Sequence, residues 1–373
     1  MKKRTLLALI LSCFPLNAAA GGAGGPAPTQ ARTTDAQTRA IVAATQAFLT
    51  TLSAAQRAKV QFAFTPQKNA TAATFKGGMN GQSTFVGEQY GQSRWSNYPV
   101  SDVPRPGLTL GSLGDAQRRA AMNVLRVLLS PEGYQKVIDI MGADQVLSGS
   151  GTPYDDGSAF YTIGIFGTPS PTAPWMLQFG GHHLGMNAVV VGPNVSLTPT
   201  LTGDQPATYT RNGQTVRPLG DENDKAFRLM NALSAAQQKK ATLAYQINDL
   251  VLGPGQDGKV LQPEGLPVSE MTRAQQAILL DLIGEWARML NADDAAPKLA
   301  QIRANLNQTY FAWYGKTVNP SPVYFRITGP TLHIEFAHQQ ADRPGTGVQM
   351  NGINHVHTVY RDPTNEYGAA WTK

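Results

Sequence analysis

The chain is poor in the residue types that most often carry chemistry. It has one cysteine, Cys13, and six histidines among 373 residues. Cys13 lies in an N-terminal segment that we expect to be removed on export, so the mature protein would contain no thiol. Disulfide bonds, thiol catalysis and cysteine-ligated zinc are then excluded, and the hydrophobic core must hold the fold without cross-links.

Charged residues are scarce as well, and the two signs are nearly balanced. They make up 15% of the chain, and the formal net charge is +6. Without Lys2, Lys3 and Arg4, 28 basic residues stand against 25 acidic ones. Lysine and arginine form no cluster, which argues against nucleic acid as a partner. The apolar run at 6–16 is too short for a membrane span, and no later run is a better candidate.

The N-terminus has the pattern of an export signal. Three basic residues precede the apolar run, and Ala18-Ala19-Ala20 provides a small-residue cleavage site. The residues before Cys13 resemble a lipoprotein signal only weakly, because that signal would be very short, so lipidation is not expected. Residues 21–34 are rich in glycine, proline and alanine and predict a disordered linker. We therefore predict a signal peptide at 1–20 and a secreted or periplasmic location.

Short sequence words recur in the same order in the two halves of the chain, which suggests a diverged internal duplication. The serine of the first word suits the N-cap of a helix or a bend between two helices, and amphipathic helices follow the second word. The alternative is chance recurrence in sequence rich in alanine and glutamine. The words are Leu-Ser-Ala-Ala-Gln at 52–56 and 233–237, Ala-Gln at 116–117 and 274–275, and Pro-Ser-Pro at 169–171 and 320–322.

These patterns predict an α+β fold in a single domain at 35–373. Its two pseudo-repeats, at ~40–190 and ~222–337, would each consist of helices plus antiparallel sheet, and neither looks able to fold alone. The segment 68–106 predicts short strands and loops. Asn212-Gly213, between alternating residues, predicts a β-hairpin.

Four of the six histidines lie in a C-terminal motif at 331–368. His355 and His357 are separated by one residue in a stretch of β-forming residues, so both imidazoles should lie on one face of a strand. Such a pair can chelate one ion. The structural alternative is a pair of hydrogen-bonded core histidines.

A second pair strengthens the prediction of a metal site. His333 and Glu335 alternate with apolar residues and therefore share one face of a neighbouring strand. If the two strands lie side by side with like faces together, His333, Glu335, His355 and His357 converge. Three imidazoles and a carboxylate would suit zinc, copper or non-haem iron. The alternative is a hairpin with one polar face.

The adjacent pair His182-His183 is the third element of the predicted site. Neighbouring residues of a strand face opposite ways, so only one of the two can contribute. The duplication favours His182, whereas the local apolar pattern favours His183, and the sequence leaves the choice open.

A run of polar residues at 361–368 follows the last predicted strand. Arg361 could bind a carboxylate or phosphate of a substrate with two parallel hydrogen bonds. Asp362 or Glu366 could act as a base, or could orient a ligating imidazole. The alternative is a buried structural turn. Serine-hydrolase, phosphate-loop, dinucleotide-binding and His-Glu-x-x-His motifs are absent from the sequence.

Together these motifs resemble an uncharacterised family, catalogued as domain of unknown function 3500. The resemblance covers roughly residues 40–370 and implies an exported protein of bacterial type, but no settled activity. The motifs that carry it are Gly-His-His-Leu at 181–184, Tyr-Phe-Ala-Trp-Tyr-Gly at 310–315, Tyr-Phe-Arg-Ile-Thr-Gly-Pro at 324–330, His-Ile-Glu at 333–335, and 354–368.

The sequence therefore predicts an exported metal-dependent protein with one mononuclear site at its C-terminal end. As a hydrolase or oxidoreductase it would act on a small-molecule substrate, and Arg361 favours an anionic one. The alternative is a non-catalytic periplasmic or secreted metal- or ligand-binding module. A coordination sphere filled by protein groups would distinguish the module from an enzyme with an open position.

Overall fold

The structure, a computed structural model, describes residues 35–78, 81–150, 157–339 and 352–372. The predicted signal peptide and linker lie outside the described residues. Within these ranges the chain combines helices with one large, mainly antiparallel sheet, which is the predicted α+β class. No helix in these ranges is both long and apolar enough to cross a bilayer.

Among its described residues, the first half of the chain contains four helices and ten of the strands. They are α1 (Ala36–Thr50), α2 (Ala54–Val60), β1 (Gln61–Phe62), β2 (Thr71–Gly77), β3 (Ser83–Tyr90), β4 (Ser93–Trp95), β5 (Leu108–Thr109), α3 (Asp115–Leu128), α4 (Pro131–Ser148), β6 (Thr162–Phe166), β7 (Trp175–Gly180), β8 (Leu184–Val191), β9 (Asn194–Ser196) and β10 (Thr200–Asp204).

The second half follows a small hairpin. Its elements are β11 (Tyr209–Arg211), β12 (Gln214–Val216), α5 (Gly220–Ala232), α6 (Ala235–Ala241), β13 (Leu266–Pro267), α7 (Arg273–Ala287), α8 (Ala292–Ala304), β14 (Tyr310–Gly315), β15 (Val323–Gly329), β16 (Leu332–His338), β17 (Val356–Arg361) and α9 (Ala369–Thr372). Short 3₁₀ turns lie at Leu110–Ser112, Ser158–Phe160, Val268–Glu270, Leu306–Gln308 and Glu366–Gly368.

Local residue choices account for these boundaries. Ser53 and Ser234 each cap a short helix, as the sequence predicts, and the glutamine three residues later closes a capping box. The predicted hairpin is confirmed as well. It joins β11 and β12 through Asn212 and Gly213, whose φ angles of 53° and 76° suit the tight turn.

Glutamine pairs link corresponding helices in the two halves. The Gln56 amide bonds Gln117 at 3.2 Å, and the Gln237 amide bonds Gln275 at 3.1 Å. In each half, a helical pair, a short strand and two further helices precede three antiparallel strands. The duplication stays a prediction, and superposition of the two halves would test it.

One sheet of twelve strands runs through the part of the chain that the structure describes. Ten strands lie in the order β1-β6-β7-β8-β10-β17-β16-β15-β14-β13, while β5 pairs with β6 and β9 with β8. Strands of the first half lie on one side of the β10–β17 pair, and strands of the second half lie on the other. The antiparallel β10–β17 pair therefore joins the two halves, and both strands contribute to the candidate site.

The two faces of the sheet have different coverings. Val356 and Tyr360 of β17 pack in a core cluster with the helices of the second half. Val359 instead packs against Trp95 and Leu201. Because side chains alternate along a strand, His357, Val359 and Arg361 lie on the face away from those helices.

Candidate metal centre

Strand β17 and the residue before it supply two imidazoles. His355 and His357 lie on the same side of the strand, and their Nε2 atoms are 3.0 Å apart. Their rings meet nearly edge to face, with an interplanar angle of 79°. Both side chains are buried. The two nitrogens are therefore directed at a common point rather than at solvent.

His183 provides the third imidazole. It lies in the turn between β7 and β8, and its Nε2 atom is 3.0 Å from Nε2 of His355. One ligand atom from each of the three histidines lies within 4.8 Å of those of the other two. The structure thus brings His183, His355 and His357 together, and this group could hold a metal ion.

A glycine makes room for this convergence. Gly203 of β10 pairs with His357 of β17 on one side. A Cβ at position 203 would lie 3.2 Å from Cδ2 of His183 and 2.7 Å from the carbonyl oxygen of Val356. A side chain at this position would collide with these neighbours. The absence of a side chain at Gly203 therefore leaves room for the imidazoles of His183 and His357.

Carboxylates hold the rear nitrogens of two of the three rings. Nδ1 of His183 lies 2.6 Å from Asp144, and Nδ1 of His357 lies 2.9 Å from Asp249. Asp144 also accepts a hydrogen bond from the Tyr161 hydroxyl at 2.5 Å. A carboxylate behind a ligating imidazole is the usual means by which proteins fix the ring and raise its basicity.

These contacts determine which nitrogens carry protons. A carboxylate accepts hydrogen bonds, so we assign a proton to Nδ1 of His183 and to Nδ1 of His357, which leaves a lone pair on each Nε2. Both lone pairs point at Nε2 of His355. A neutral His355 that carries its proton on Nε2 can donate it to one of them, and the lone pair of the other then receives no proton from His355. A cation at the common point removes this conflict.

Electrostatics keep the group in a form that can bind metal. Burial, followed by the proximity of the other three imidazoles, holds the pKa of His183 well below its ordinary value, so the ring is neutral. Burial raises the pKa of Asp249, but attraction to His357 and hydrogen bonds from His357 and the Leu250 amide outweigh it. The pKa of Asp249 therefore lies below its ordinary value, and the carboxylate is ionised.

The two adjacent histidines, between which the sequence leaves the choice open, lie in different positions relative to the trio. His183 joins the trio, whereas the His182 ring stacks on the His183 ring with centroids 3.8 Å apart. Nδ1 of His182 is 3.9 Å from Asp144. His182, His183 and Asp144 form a second group that could hold an ion, and this group shares His183 with the first.

His333 and Glu335 do not join the trio. They lie on the expected face, but Glu335 pairs with Val359, while Ala337 lies opposite His357. Nε2 of His333 bonds Glu335 at 2.9 Å. Glu335 also accepts hydrogen bonds from the amides of residues 251 and 252, each at 2.7 Å, and from the Tyr324 hydroxyl. Its oxygens are thus used to hold the loop after α6.

Arg361 is engaged within the protein rather than directed at a substrate. It bonds Glu88 at 2.5 Å and Glu366 at 2.7 Å, and it donates to the carbonyls of Leu252 and Gly253. These partners use the whole guanidinium. The sequence predicts Arg361 as a substrate clamp, and the structure directs the donors of its guanidinium at acceptors within the protein.

The two acidic residues of the same run are also occupied. Asp362 pairs with Lys298 at 2.5 Å and accepts from the Thr364 amide and hydroxyl. Burial raises the pKa of Glu366 to about 8 against the opposing charge of Arg361. Both side chains stabilise the turn after β17, and neither belongs to the groups that could hold an ion.

Asp144 and Asp249 were missed at the sequence level. For Asp144 the sequence holds a usable signal, because this aspartate interrupts the buried stripe of α4 formed by Val137, Ile140, Met141 and Leu147. A carboxylate on an apolar helix face requires a buried partner. For Asp249, in a loop, we find no comparable signal.

His338 gives a prediction about pH. Burial lowers the pKa of His338 from 6.5 to about 4. Between these values the unfolded state binds a proton that the native state does not, so the stabilising contribution is complete above pH 6.5 and is lost as pH falls toward 4. We expect urea unfolding to show wild type losing ~2 kcal/mol more than His338→Gln between pH 7 and pH 4.5. Equal losses in the two proteins would contradict the assignment.

Comparison with known proteins places the chain in a family. No curated protein and no solved structure matches it. A family described as "Protein of unknown function (DUF3500)" matches residues 79–369, a range that includes His183, His355 and His357 as well as both carboxylates. The match covers most of the chain, so the protein belongs to this family of unknown function.

Proposed function

We propose that this protein binds one divalent transition-metal ion through Nε2 of His183, His355 and His357. The observation that carries the proposal is the approach of three buried imidazole nitrogens, two of which bear a lone pair because carboxylates hold the opposite nitrogen. Nitrogens 3.0 Å apart are close to the separation of ~3.3 Å expected around a tetrahedral ion with bonds of ~2.0–2.1 Å.

We further propose that the bound ion is catalytic. Three protein ligands leave one position of a tetrahedral ion for water or substrate, which is the arrangement of catalytic rather than structural zinc. At that position the ion would supply Lewis acidity and lower the pKa of bound water, which favours hydrolysis of a small molecule. Copper or iron with the same ligands would favour an oxidoreductase instead. Asp144 and Asp249 would keep His183 and His357 oriented.

One observation favours a second candidate, a non-catalytic metal-binding module. His183 is fully buried, and His357 and His355 are only 2% and 7% exposed. A site so enclosed suits retention of an ion as well as turnover. Binding of a small anion to the metal distinguishes the two, because only an exchangeable position accepts it.

The experiment begins with protein purified without a histidine tag. Elemental analysis should find one zinc, copper or iron ion per chain, and chelator-treated protein should take up one Co²⁺. Azide should then change the visible spectrum of the cobalt protein if a position is open. Protein that neither carries nor takes up metal would overturn the proposal, and bound cobalt that is insensitive to azide would favour the module.

Gly203 supplies a geometric test of the same site. In Gly203→Ala the new Cβ would press on the Val356 carbonyl and on His183. We expect a loss of ~1–3 kcal/mol in the free energy of unfolding and weaker binding of Zn²⁺ in the folded protein. Gly149→Ala is the control, because its nearest atom is 3.5 Å away and its φ is negative. Unchanged Zn²⁺ affinity in Gly203→Ala would count against convergence across this glycine.

Two further features remain proposals. We propose export, which is supported by the basic start, apolar run and small residues at the N-terminus. N-terminal sequencing of secreted or periplasmic material should begin near Gly21.

We also propose that the halves arose by duplication, which is supported by the matched capping boxes and by the Gln56–Gln117 and Gln237–Gln275 pairs. Unrelated positions of these elements on superposition would reject it.

A further inference from the structure

A cavity of 380 Å³ lies on the other face of the sheet, behind strand β17. Its floor includes one row of paired residues, Asp204 of β10, Val356 of β17 and His338 of β16. The neighbouring row, which contains Gly203 and His357, points to the opposite face. The volume is within the range of small-molecule sites. The other polar groups of its wall are Thr208, Arg217, Asn223, Asp224, Asn319 and Ser321.

Asp204 is the unusual group in this cavity. It is 1% exposed, and its Oδ2 accepts a hydrogen bond from the Leu219 amide at 3.2 Å. Its Oδ1 has no hydrogen-bond partner in the part of the chain that the structure describes. A buried carboxylate oxygen without a donor is costly, so a ligand that brings donors to this oxygen would be bound with a gain in free energy.

The neighbouring charges do not neutralise Asp204. Arg217 is held by Asp224 through two hydrogen bonds of 2.7 and 2.9 Å. The carboxylate of Glu222 is paired with Lys136. Burial, followed by the charge of Glu222, raises the pKa of Asp204 well above its ordinary value, against the Leu219 hydrogen bond and Arg217. An ammonium group at Oδ1 would favour the ionised carboxylate and supply the donors that Oδ1 lacks.

We propose that this cavity binds a small molecule whose protonated primary amine donates hydrogen bonds to Oδ1 of Asp204. The apolar floor at Phe336 and Val356 accommodates the carbon part of the ligand, and the amide and hydroxyl groups of the wall can meet further polar atoms. An ammonium group fits better than a hydroxyl because it provides a charge as well as donors. The site is independent of the imidazole trio and does not rest on the proposed metal.

A charge series tests the choice of ligand. Calorimetric titration of the full mature protein at pH 8 would use n-butylammonium chloride, butan-1-ol and sodium butyrate, which differ mainly in the head group. We expect n-butylammonium to bind and the other two to bind at least ~10-fold more weakly. Equal binding of butan-1-ol, or no binding of the ammonium, would overturn the proposal.

A substitution tests the residue. Asp204→Asn keeps the size of the side chain and the acceptor for the Leu219 amide but removes the charge. Its affinity for n-butylammonium should fall roughly 10- to 100-fold. Unchanged affinity would refute the assignment. If this variant does not fold, Ala207→Leu, which narrows the cavity and leaves Asp204 intact, decides: lost binding supports the site, and retained binding refutes it.

Discussion

Replacing His355 by alanine should lower the affinity for Zn²⁺ by more than ~100-fold while the protein stays folded. The loss of an orienting group behind a ligand typically costs 10- to 100-fold in metal affinity, so the loss of a ligand should exceed that range. His355 is the central member of the trio, because its Nε2 is 3.0 Å from Nε2 of both His183 and His357. Without it, two imidazoles remain, and a wider gap separates them.

The fold should survive because the main-chain role of His355 does not depend on its imidazole. Its carbonyl accepts a hydrogen bond from the Gln339 amide, and alanine retains that carbonyl. Asp249→Asn should give an intermediate result, with a loss of ~10- to 100-fold, because it weakens only the orientation of His357. The order of the two losses tests the assignment of ligand and orienting group.

His338→Ala is the matched control. It also removes a buried imidazole, from the strand that pairs with β17, but this imidazole belongs to neither group that could hold an ion. Competition with a chromophoric zinc chelator would measure affinity, and circular dichroism would confirm folding. We expect His338→Ala to keep its zinc affinity. If it loses as much zinc affinity as His355→Ala, the loss is not specific to the imidazole trio; if only His355→Ala is unfolded, His355 is a core residue. Either outcome contradicts the metal interpretation.

Local structure could be predicted from the sequence because it depends on neighbouring residues. Ser53 and Ser234 cap helices through contacts that span three residues, and Asn212-Gly213 sets its turn alone. The pairing of β10 with β17 joins residues more than 150 positions apart. No periodic pattern contains that information, so the single twelve-stranded sheet was not predictable from residues alone.

The site shows the same division between local pattern and long-range register. Strand parity places His355 and His357 on one face together with His333 and Glu335, as the structure shows. Parity repeats every two residues and does not determine which residues lie opposite each other. Ala337 lies opposite His357, so Glu335 is displaced along the strand by two residues, or roughly 7 Å.

The sequence could not decide between His182 and His183, and the reason is a different one. Both residues lie in the turn between β7, which ends at Gly180, and β8, which begins at Leu184. The alternation of side chains that holds within a strand does not hold in a turn. The contact between His183 and Asp144 of α4, which selects His183, is again a long-range one.

Replacing Arg361 by methionine should lower the free energy of unfolding by ~3–5 kcal/mol, because it leaves a buried carboxylate without its cation. Glu88 is fully buried and bonds Arg361 at 2.5 Å. It also accepts from the Tyr367 hydroxyl and the Gly255 amide, and Tyr367 in turn accepts from Trp95. Loss of Arg361 therefore affects a whole polar network.

Arg326→Met is the matched control for this substitution. Arg326 is as buried as Arg361, at 3% exposure, but the side chain of its partner Glu264 is 44% exposed. Water can solvate Glu264 after the change, so the loss should be nearer ~1 kcal/mol. In the double variant Glu88→Gln with Arg361→Met the charge of Glu88 is removed as well, and part of the lost stability should return.

Urea unfolding at pH 7 gives the free energy of unfolding of the wild type, Arg361→Met, Arg326→Met and the double variant. Zinc affinity is measured on the folded protein. We expect Arg361→Met to retain zinc affinity, because its contacts do not include the imidazole trio. The substrate-clamp prediction also retains metal, but it places the loss in substrate binding and gives no reason for a large loss of stability. The two outcomes differ in stability itself, so the assignment of Arg361 as a structural cation can be decided before any substrate is known.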